Sequence, residues 1–220
     1  MAPGVVCRGW SLSGAGGGVS KGRYDDSVTA TWRTSQKANR RAQLLEESAA
    51  LFAARGFAAV TTTEIGEAVG LTGPALYKHF ANKEAILAEL LLDTSERLLA
   101  GCRRIQAAGE ADPAVRLGQL IDFHIGFATS APDVIRIQDR ELAGLPPEPN
   151  QRVRRLQREY VEEWDAVLAE ARDDLSAPER QTRLLGVFGL LNSTPHSAPA
   201  SGGAAADILA RMARRALLEG

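Results

Sequence analysis

An all-α fold is the prediction, and three observations make it. From Ser35 onward, apolar residues recur at three- and four-residue spacing, as in Leu44, Leu45, Ser48, Ala49 and Phe52. Helix start and stop signals punctuate the whole of that stretch. No segment alternates apolar and polar residues in the way a strand requires. The expected architecture is an N-terminal three-helix unit followed by a larger helical body, about nine helices in all.

Composition bounds the function. The 220 residues are 45% hydrophobic and 24% charged, enough to bury a core. Lys and Arg number 26 against 27 Asp and Glu, a net charge of −1, which excludes a uniformly basic coat but not a local basic face. Two cysteines, Cys7 and Cys102, and three scattered histidines, His79, His124 and His196, offer neither a disulfide framework nor a metal cluster. No metal and no cofactor is expected. No apolar run approaches the roughly 18 residues of a membrane span. The N-terminus lacks the charged and apolar regions of a signal peptide. A soluble, cytoplasmic protein is expected.

The elements follow in order. Residues 1–34, with the glycine-rich Ser13 to Gly18, read as a flexible tail in which Trp10, Tyr24 and Trp32 are the docking residues available. The first helix begins at Ser35 and stops at Gly56, a C-cap onto which Phe57 folds back. Thr61 and Glu64 make a capping box for a short helix that ends at Gly70. Thr72 caps a third helix, Gly73 to Phe80, with Pro74 tolerated in its first turn. Asn82 caps a long helix from Lys83 to about Ala107. Asp112-Pro113 opens a helix to about Thr129, and Pro132 opens another to about Ala143. Pro146 to Pro149 reads as a stiff connector before a helix from Asn150 to Ala171. Ser176 and Glu179 start a helix that runs to Asn192. Ser193 to Gly203 reads as a loop, and Ala204 to Leu218 as the last helix. Domains are expected at 35–82 and 83–220.

Charge is divided along that boundary. Residues 33–83 hold seven basic and four acidic groups, while the remainder of the chain is acidic on balance. That is the pattern expected when only the small unit meets phosphate. Within it, two short helices joined by Val69-Gly70-Leu71-Thr72 form a helix-turn-helix, with Gly70 at the position that needs positive φ. The second helix of this motif enters the major groove. Leu76 and Phe80 face its core with Ile65 and Phe52. Thr72, Gly73, Ala75, Tyr77, Lys78 and His79 are left for DNA. Gly73 and Ala75 allow close approach, and Ala75 suits a thymine methyl. Tyr77, His79 and Lys83 suit phosphate oxygens. Thr62 and Thr63 add donors at a helix N-terminus.

The stretch Thr61 to Leu87, read with Leu44, Leu45, Phe52 and Gly56, resembles the signature of the TetR family of bacterial repressors over about residues 38–92. The Leu76-Tyr77-His79-Phe80 and Lys83-Glu84 pattern is the specific part. The resemblance implies that Thr62, Thr72, Tyr77, His79 and Lys83 contact the DNA backbone. It implies that Gly73, Pro74, Ala75 and Lys78 lie near bases. Two departures stand out. Gly66 occupies a usual alanine position, which would loosen the second helix. Thr63 occupies a frequent arginine position, which removes a contact.

The resemblance further implies a ligand-binding and dimerising body. The stretch Arg136 to Glu141, the helix Arg152 to Trp164 and the segment Phe188 to Asn192 look like TetR-type regulators of actinobacterial lipid or acyl-CoA metabolism. A cavity is expected among the helices beginning at Asp112, Ala131 and Asn150. Phe123, His124, Phe127, Ile137 and Trp164 would line it, with Arg136 or Arg140 for an anionic end. His124 and Trp164 read equally as core residues, and the Arg152 to Arg158 run as a solvated face or an anion site. The expected effector is a small hydrophobic molecule, with a fatty acid or an acyl-CoA as the acid forms. A homodimer is expected through Ala177 to Asn192 and Ala204 to Leu218, using Leu184, Leu185, Phe188, Leu191, Ile208, Leu209, Met212 and Leu217. The partner is then double-stranded operator DNA, not a membrane.

Two other classes compete. A helical metabolic enzyme would need paired carboxylates, or a nucleophile with its base. Asp122 and His124 are two apart and face different ways on a helix. A helical adaptor without DNA binding would leave the basic module unexplained, and a regulator with no small-molecule ligand is the further alternative.

Overall fold

The computed structural model describes the backbone of residues 26–201 and 204–219, and the side chains of 39–72, 75–197 and 204–219. Among these residues there are ten α-helices and one 3-10 turn, with no strand. The glycine-rich segment, Trp10, Tyr24 and the Trp32 side chain lie outside the described residues.

Helix α1 spans Asp26–Arg55. It begins nine residues before the expected Ser35. Extending a helix that the Leu44 to Phe52 stripe has nucleated costs little per residue. Gly56 ends α1 at φ +83°, donating its N–H to the Phe52 carbonyl at 2.9 Å. Phe57 packs edge-on against Phe52, 5.1 Å between ring centres.

Helix α2 is Thr62–Ala68, with the capping box of Thr61 and Glu64 formed in both directions. The turn is left at Gly70, φ +68°. Gly66 has a stronger reason to be glycine than a loose helix. A Cβ there would sit 3.0 Å from the Leu71 carbonyl oxygen, and the Leu71 N–H donates to the Gly66 carbonyl at 2.8 Å. The missing methyl lets the turn close tightly on α2. Helix α3 is only Gly73–Leu76; it continues through turn hydrogen bonds to Phe80. Thr72 precedes it, but its hydroxyl makes no capping bond.

Helix α4 is Lys83–Ala107, capped by Asn82 onto the Ala85 N–H at 2.7 Å. Helix α5 is Pro113–Ser130 and α6 is Pro132–Glu141, followed by the 3-10 turn Leu142–Gly144. Helix α7, Pro147–Ala171, begins inside the expected connector. Pro147 and Pro149 fall in the first turn, where an N–H has no helical partner to lose, so they start the helix instead of blocking it. Helix α8 is Ala177–Asn192, with the Ser176–Glu179 capping box in place. The expected loop after it holds a further helix, α9, Thr194–Ser201. Pro195 sits in its first turn, and the Thr194 hydroxyl bonds back to Leu191. Helix α10 is Ala205–Leu218.

Within 39–220 there are two apolar cores. One gathers Leu44, Phe52, Ile65, Leu76, Ile86 and Leu91 with Val134 and Ile137 of α6, Leu145 and Val153. The other gathers Leu117, Leu120, Ile121, Trp164, Leu168, Leu184 and Leu209 from α5, α7, α8 and α10. Burial thus does not divide at residue 82. Helix α6 lends its apolar face to the helix-turn-helix core, and α4 contributes to both.

Candidate DNA interface and ligand pocket

The helix-turn-helix buries one side and presents the other. Ile65 and Leu76 are fully buried and Phe80 nearly so, while Thr61, Thr63, Thr72, Tyr77 and Lys78 are exposed. Tyr77 is 55% exposed, unusual for an aromatic in so small a unit. Its hydroxyl lies 3.3 Å from that of Thr62, which joins the start of α2 to the end of α3. Ala75 and His79 are half-buried. Gly73 and Pro74 form the first turn of α3. The structure therefore brings Thr62 and Tyr77 together, with Thr63, Thr72 and Lys78 outward.

Lys83 is placed otherwise than expected. Its ammonium donates to the carbonyls of Phe57 at 2.7 Å, Val60 at 2.8 Å and Ala58 at 3.4 Å, and lies over the Phe57 ring. Lysine has three protons to give, and here all three fasten the α1–α2 connection to α4. A phosphate contact by this group is not what its geometry supports.

Arg41 is a site residue that sequence reasoning does not single out. Its guanidinium makes a bidentate pair with Glu89 of α4, donates to the His79 carbonyl and lies 4.0 Å from the centre of the Phe80 ring. One planar fork thus ties α1, the end of the α3 segment and α4 together. Arg40 similarly donates to the Val69 carbonyl in the turn at 3.0 Å. A basic residue one turn before Leu44 and Leu45 was the signal available, but its carboxylate lies 48 residues on.

A cavity of about 560 Å³ opens between α4, α5, α6, α7 and α8. His124 and Phe127 line it as expected, along with Ser95, Leu98, Ile135 and Gln138. The other expected lining residues do not. The Phe123 ring sits where a Cβ on Gly101 would collide with it at 2.1 Å, so it packs on α4. Ile137 faces the helix-turn-helix core. Trp164 is fully buried behind the wall, 4.9 Å from Phe188 between ring centres. Arg136 pairs with Asp133 at 2.8 Å and donates to the Pro195 carbonyl at 2.9 Å. Arg140 is exposed and reaches the Ala53 carbonyl at 3.4 Å. Two residues earlier or later on a helix is another face, and that displaced the reading of α6.

The basic groups at the cavity belong to α7. Arg154 and Arg158, one turn apart, line its edge with Gln157, Val161 and Glu162. Arg154 donates to Asn150 at 2.8 Å. Arg158 makes no ion pair among the described residues. Tyr160, Phe188 and Asn192 complete the wall. His124 is buried there with Nδ1 3.1 Å from the Tyr160 hydroxyl and Nε2 3.1 Å from Asn192 Oδ1. Burial outweighs the Asn192 bond and holds its pKa down, at about 4. The imidazole is therefore neutral at pH 7, and burial pushes Tyr160 upward as well.

Of the residues expected at a dimer interface, Leu184, Leu191, Leu209 and Leu217 lie in the chain's own core. Leu185, Ile208 and Met212 are exposed, and both Leu185 and Phe188 line the cavity. Half of the named residues point inward because each helix has already spent one stripe on its own protomer.

Two family descriptions match this chain: "Bacterial regulatory proteins, tetR family" over residues 44–90, and "Tetracyclin repressor-like, C-terminal domain" over residues 110–220. The chain belongs to the TetR family. Among TetR-family relatives, the HTH-type transcriptional repressor KstR2 of Rhodococcus jostii (strain RHA1) is 33% identical over 138 residues, 61% of this chain and 66% of that protein. KstR2 of Mycobacterium tuberculosis (strain CDC 1551 / Oshkosh) is 42% identical over 79 residues, 36% of this chain and 39% of its own length. The nucleoid occlusion factor SlmA of Alteromonas mediterranea is 31% identical over 102 residues, 46% of this chain and 52% of its own. The chain thus spans between about two fifths and two thirds of these relatives. A TetR-family regulator from Bordetella parapertussis 12822 superposes with a TM-score of 0.74 at 25% identity, covering 82% of this chain and 94% of that one. AibR, solved with isovaleryl coenzyme A and operator DNA, shares the TetR fold with a TM-score of 0.68 at 23% identity, covering 82% of this chain and 98% of its own. No described helix is long and apolar enough to cross a membrane.

Proposed function

We propose that this TetR-family chain is a regulator of transcription and not a catalyst. In this reading a homodimer represses by holding a two-fold operator, and a mostly apolar small molecule releases it. The observation that carries the reading is the outward face of the helix-turn-helix. Tyr77 and Lys78 stand exposed over a fully buried Leu76, with Thr62 and Thr63 beside them at a helix N-terminus. Thr62, Thr63, Thr72, Tyr77, Lys78 and His79 are the groups for phosphate and base edges, with the backbone of Gly73, Pro74 and Ala75 close to the groove. Lys83 supports this face from behind. The exposed Leu185, Ile208 and Met212 supply the self-complementary patch that a two-fold operator requires.

The route from pocket to DNA runs through α6 and α4. Helix α6 turns Ile135 and Gln138 to the cavity while Val134 and Ile137 lie in the helix-turn-helix core. Helix α4 lends Ser95 and Leu98 to the cavity and Lys83 and Glu89 to the module. A ligand that fits better when these helices are displaced shifts the equilibrium by that difference in affinity and no more. The uncompensated Arg158 favours an anionic end, as in a fatty acid or an acyl-CoA. The fold shared with AibR makes that class the natural first panel.

The experiment is a gel shift with the DNA upstream of the chain's own gene, titrated with acyl-CoAs, fatty acids and neutral aromatic compounds. Retarded DNA released by apolar compounds is the expected outcome. Failure to retard it would overturn the DNA reading. Release by sugars or metal ions alone would overturn the reading of the pocket.

A further inference from the structure

The ligand's apolar body leaves unexplained a polar group at the deep side of the cavity. His124, Tyr160 and Asn192 come from α5, α7 and α8 and form one hydrogen-bonded chain inside an aromatic cage. His124 is 3% exposed and Tyr160 6%. A polar chain set in an apolar wall costs desolvation that only a fully satisfied set of hydrogen bonds offsets.

The direction of its hydrogen bonds follows from the geometry. Asn192 presents its carbonyl oxygen, Oδ1, to His124 Nε2 at 3.1 Å, so Nε2 carries the proton. A neutral imidazole has one donor and one acceptor, so Nδ1 accepts from the Tyr160 hydroxyl at 3.1 Å. Both ring nitrogens are thereby used. What remains is the amide NH₂ of Asn192, which bonds to nothing among the described residues. Asn192 lines the cavity and is half-exposed to it. The unused capacity of the chain is therefore a donor on a residue that lines the cavity.

Resting on the proposed effector pocket, we infer that the Asn192 amide reads a hydrogen-bond acceptor on the effector, a ketone or similar oxygen set into its apolar body, remote from its anionic end. The chain His124–Tyr160 orients the amide. With the proton on Nε2, the imidazole donates to Oδ1 and leaves the amide NH₂ as the free end of the chain. The anionic end lies toward Arg154 and Arg158. Arg154 is six residues, about 9 Å along α7, from Tyr160. The site thus selects oxygenated acids over plain fatty acids, since an occupant without the oxygen leaves the desolvated amide unsatisfied.

The probes are decanoate and 9-oxodecanoate, whose ketone lies at the far end of the chain from its carboxylate. Each is titrated calorimetrically into the full-length protein. The oxo acid is expected to bind about tenfold tighter, although it is the less hydrophobic of the two. Asn192→Leu removes the donor. Asn192→Asp keeps the shape and the acceptor for His124 and replaces the donors with a carboxylate oxygen that repels a ketone, so it serves if the leucine variant unfolds. In both, the preference is expected to vanish while decanoate still binds. Equal affinities in the unaltered protein would overturn the inference, as would a preference that survives both variants. Binding of neither acid would take down the pocket reading together with it, a result distinct from equal binding.

Discussion

The two cores of this molecule handle their polar groups in opposite ways. Around the helix-turn-helix, the polar side chains that tie its segments together spend their hydrogen bonds on the protein itself. Lys83 gives its protons to three carbonyls, Arg41 is divided between Glu89 and the His79 carbonyl, and Thr61 and Glu64 cap each other. Around the cavity, the His124 chain ends in an amide with donors to spare, and Arg158 stands without a counter-ion among the described residues. The first arrangement holds a surface in one shape. The second leaves valences open to something that comes and goes. In the proposed reading, the self-satisfied groups sit where a fixed geometry would meet DNA, and the open capacity where a ligand would be recognised.

The largest expected effect separates the cores by stability. Leu76→Ala removes a fully buried side chain from the helix-turn-helix core and is expected to cost about 2–5 kcal/mol in denaturant unfolding. Phe188→Ala borders a void already present and should cost less than the roughly 3–5 kcal/mol of a closely packed phenylalanine. Equal losses would erase the contrast.

The next is pH. His124 has its folded-state pKa lowered to about 4 from an ordinary 6.5. Below 6.5 the unfolded chain takes up a proton that the folded state refuses, so stability is complete above 6.5 and falls as pH drops toward 4. The loss is on the order of 3 kcal/mol. His124→Asn should flatten thermal stability over that window, and an unchanged slope would show that the imidazole is not held neutral.

Lys83 and Lys78 sharpen the contrast within the module. Lys83→Met should destabilise by about 1–3 kcal/mol and leave the salt dependence of DNA binding unchanged. Lys78→Ala should leave stability alone and reduce the slope by about one. Anisotropy titrations at several salt concentrations, with parallel unfolding curves, distinguish them. Met212→Glu on the exposed face of α10 is the mildest for the fold. It should weaken self-association by about tenfold or more in sedimentation, without lowering the melting temperature.

Legibility in the sequence follows the range of the interactions. Caps and turns act within four residues, so Thr61–Glu64, Gly70, Asn82 and Ser176–Glu179 could be read directly. Elements whose cues are ambiguous were misread. Prolines at 147 and 149 can stop a helix or start one, and the Pro-Ser-rich stretch after Ser193 has little apolar period although it forms α9. The pocket depends on groups far apart in the chain. His124 meets Tyr160 across 36 residues and Asn192 across 68. The periodicity of α6 located an apolar face but not which core it served. Arg136 and Ile137 were therefore assigned to a cavity that takes Ile135 and Gln138 instead.

The central claim is that the exposed Tyr77 and Lys78 face grips DNA while the buried face beneath it only supports. The direct measurement is fluorescence anisotropy of a labelled upstream fragment, at fixed low salt, with the unaltered protein and a Tyr77→Ala, Lys78→Ala double variant. The variant should melt at the unaltered temperature and bind at least a hundredfold more weakly, about 2.8 kcal/mol. Unchanged affinity in a folded double variant would contradict the account.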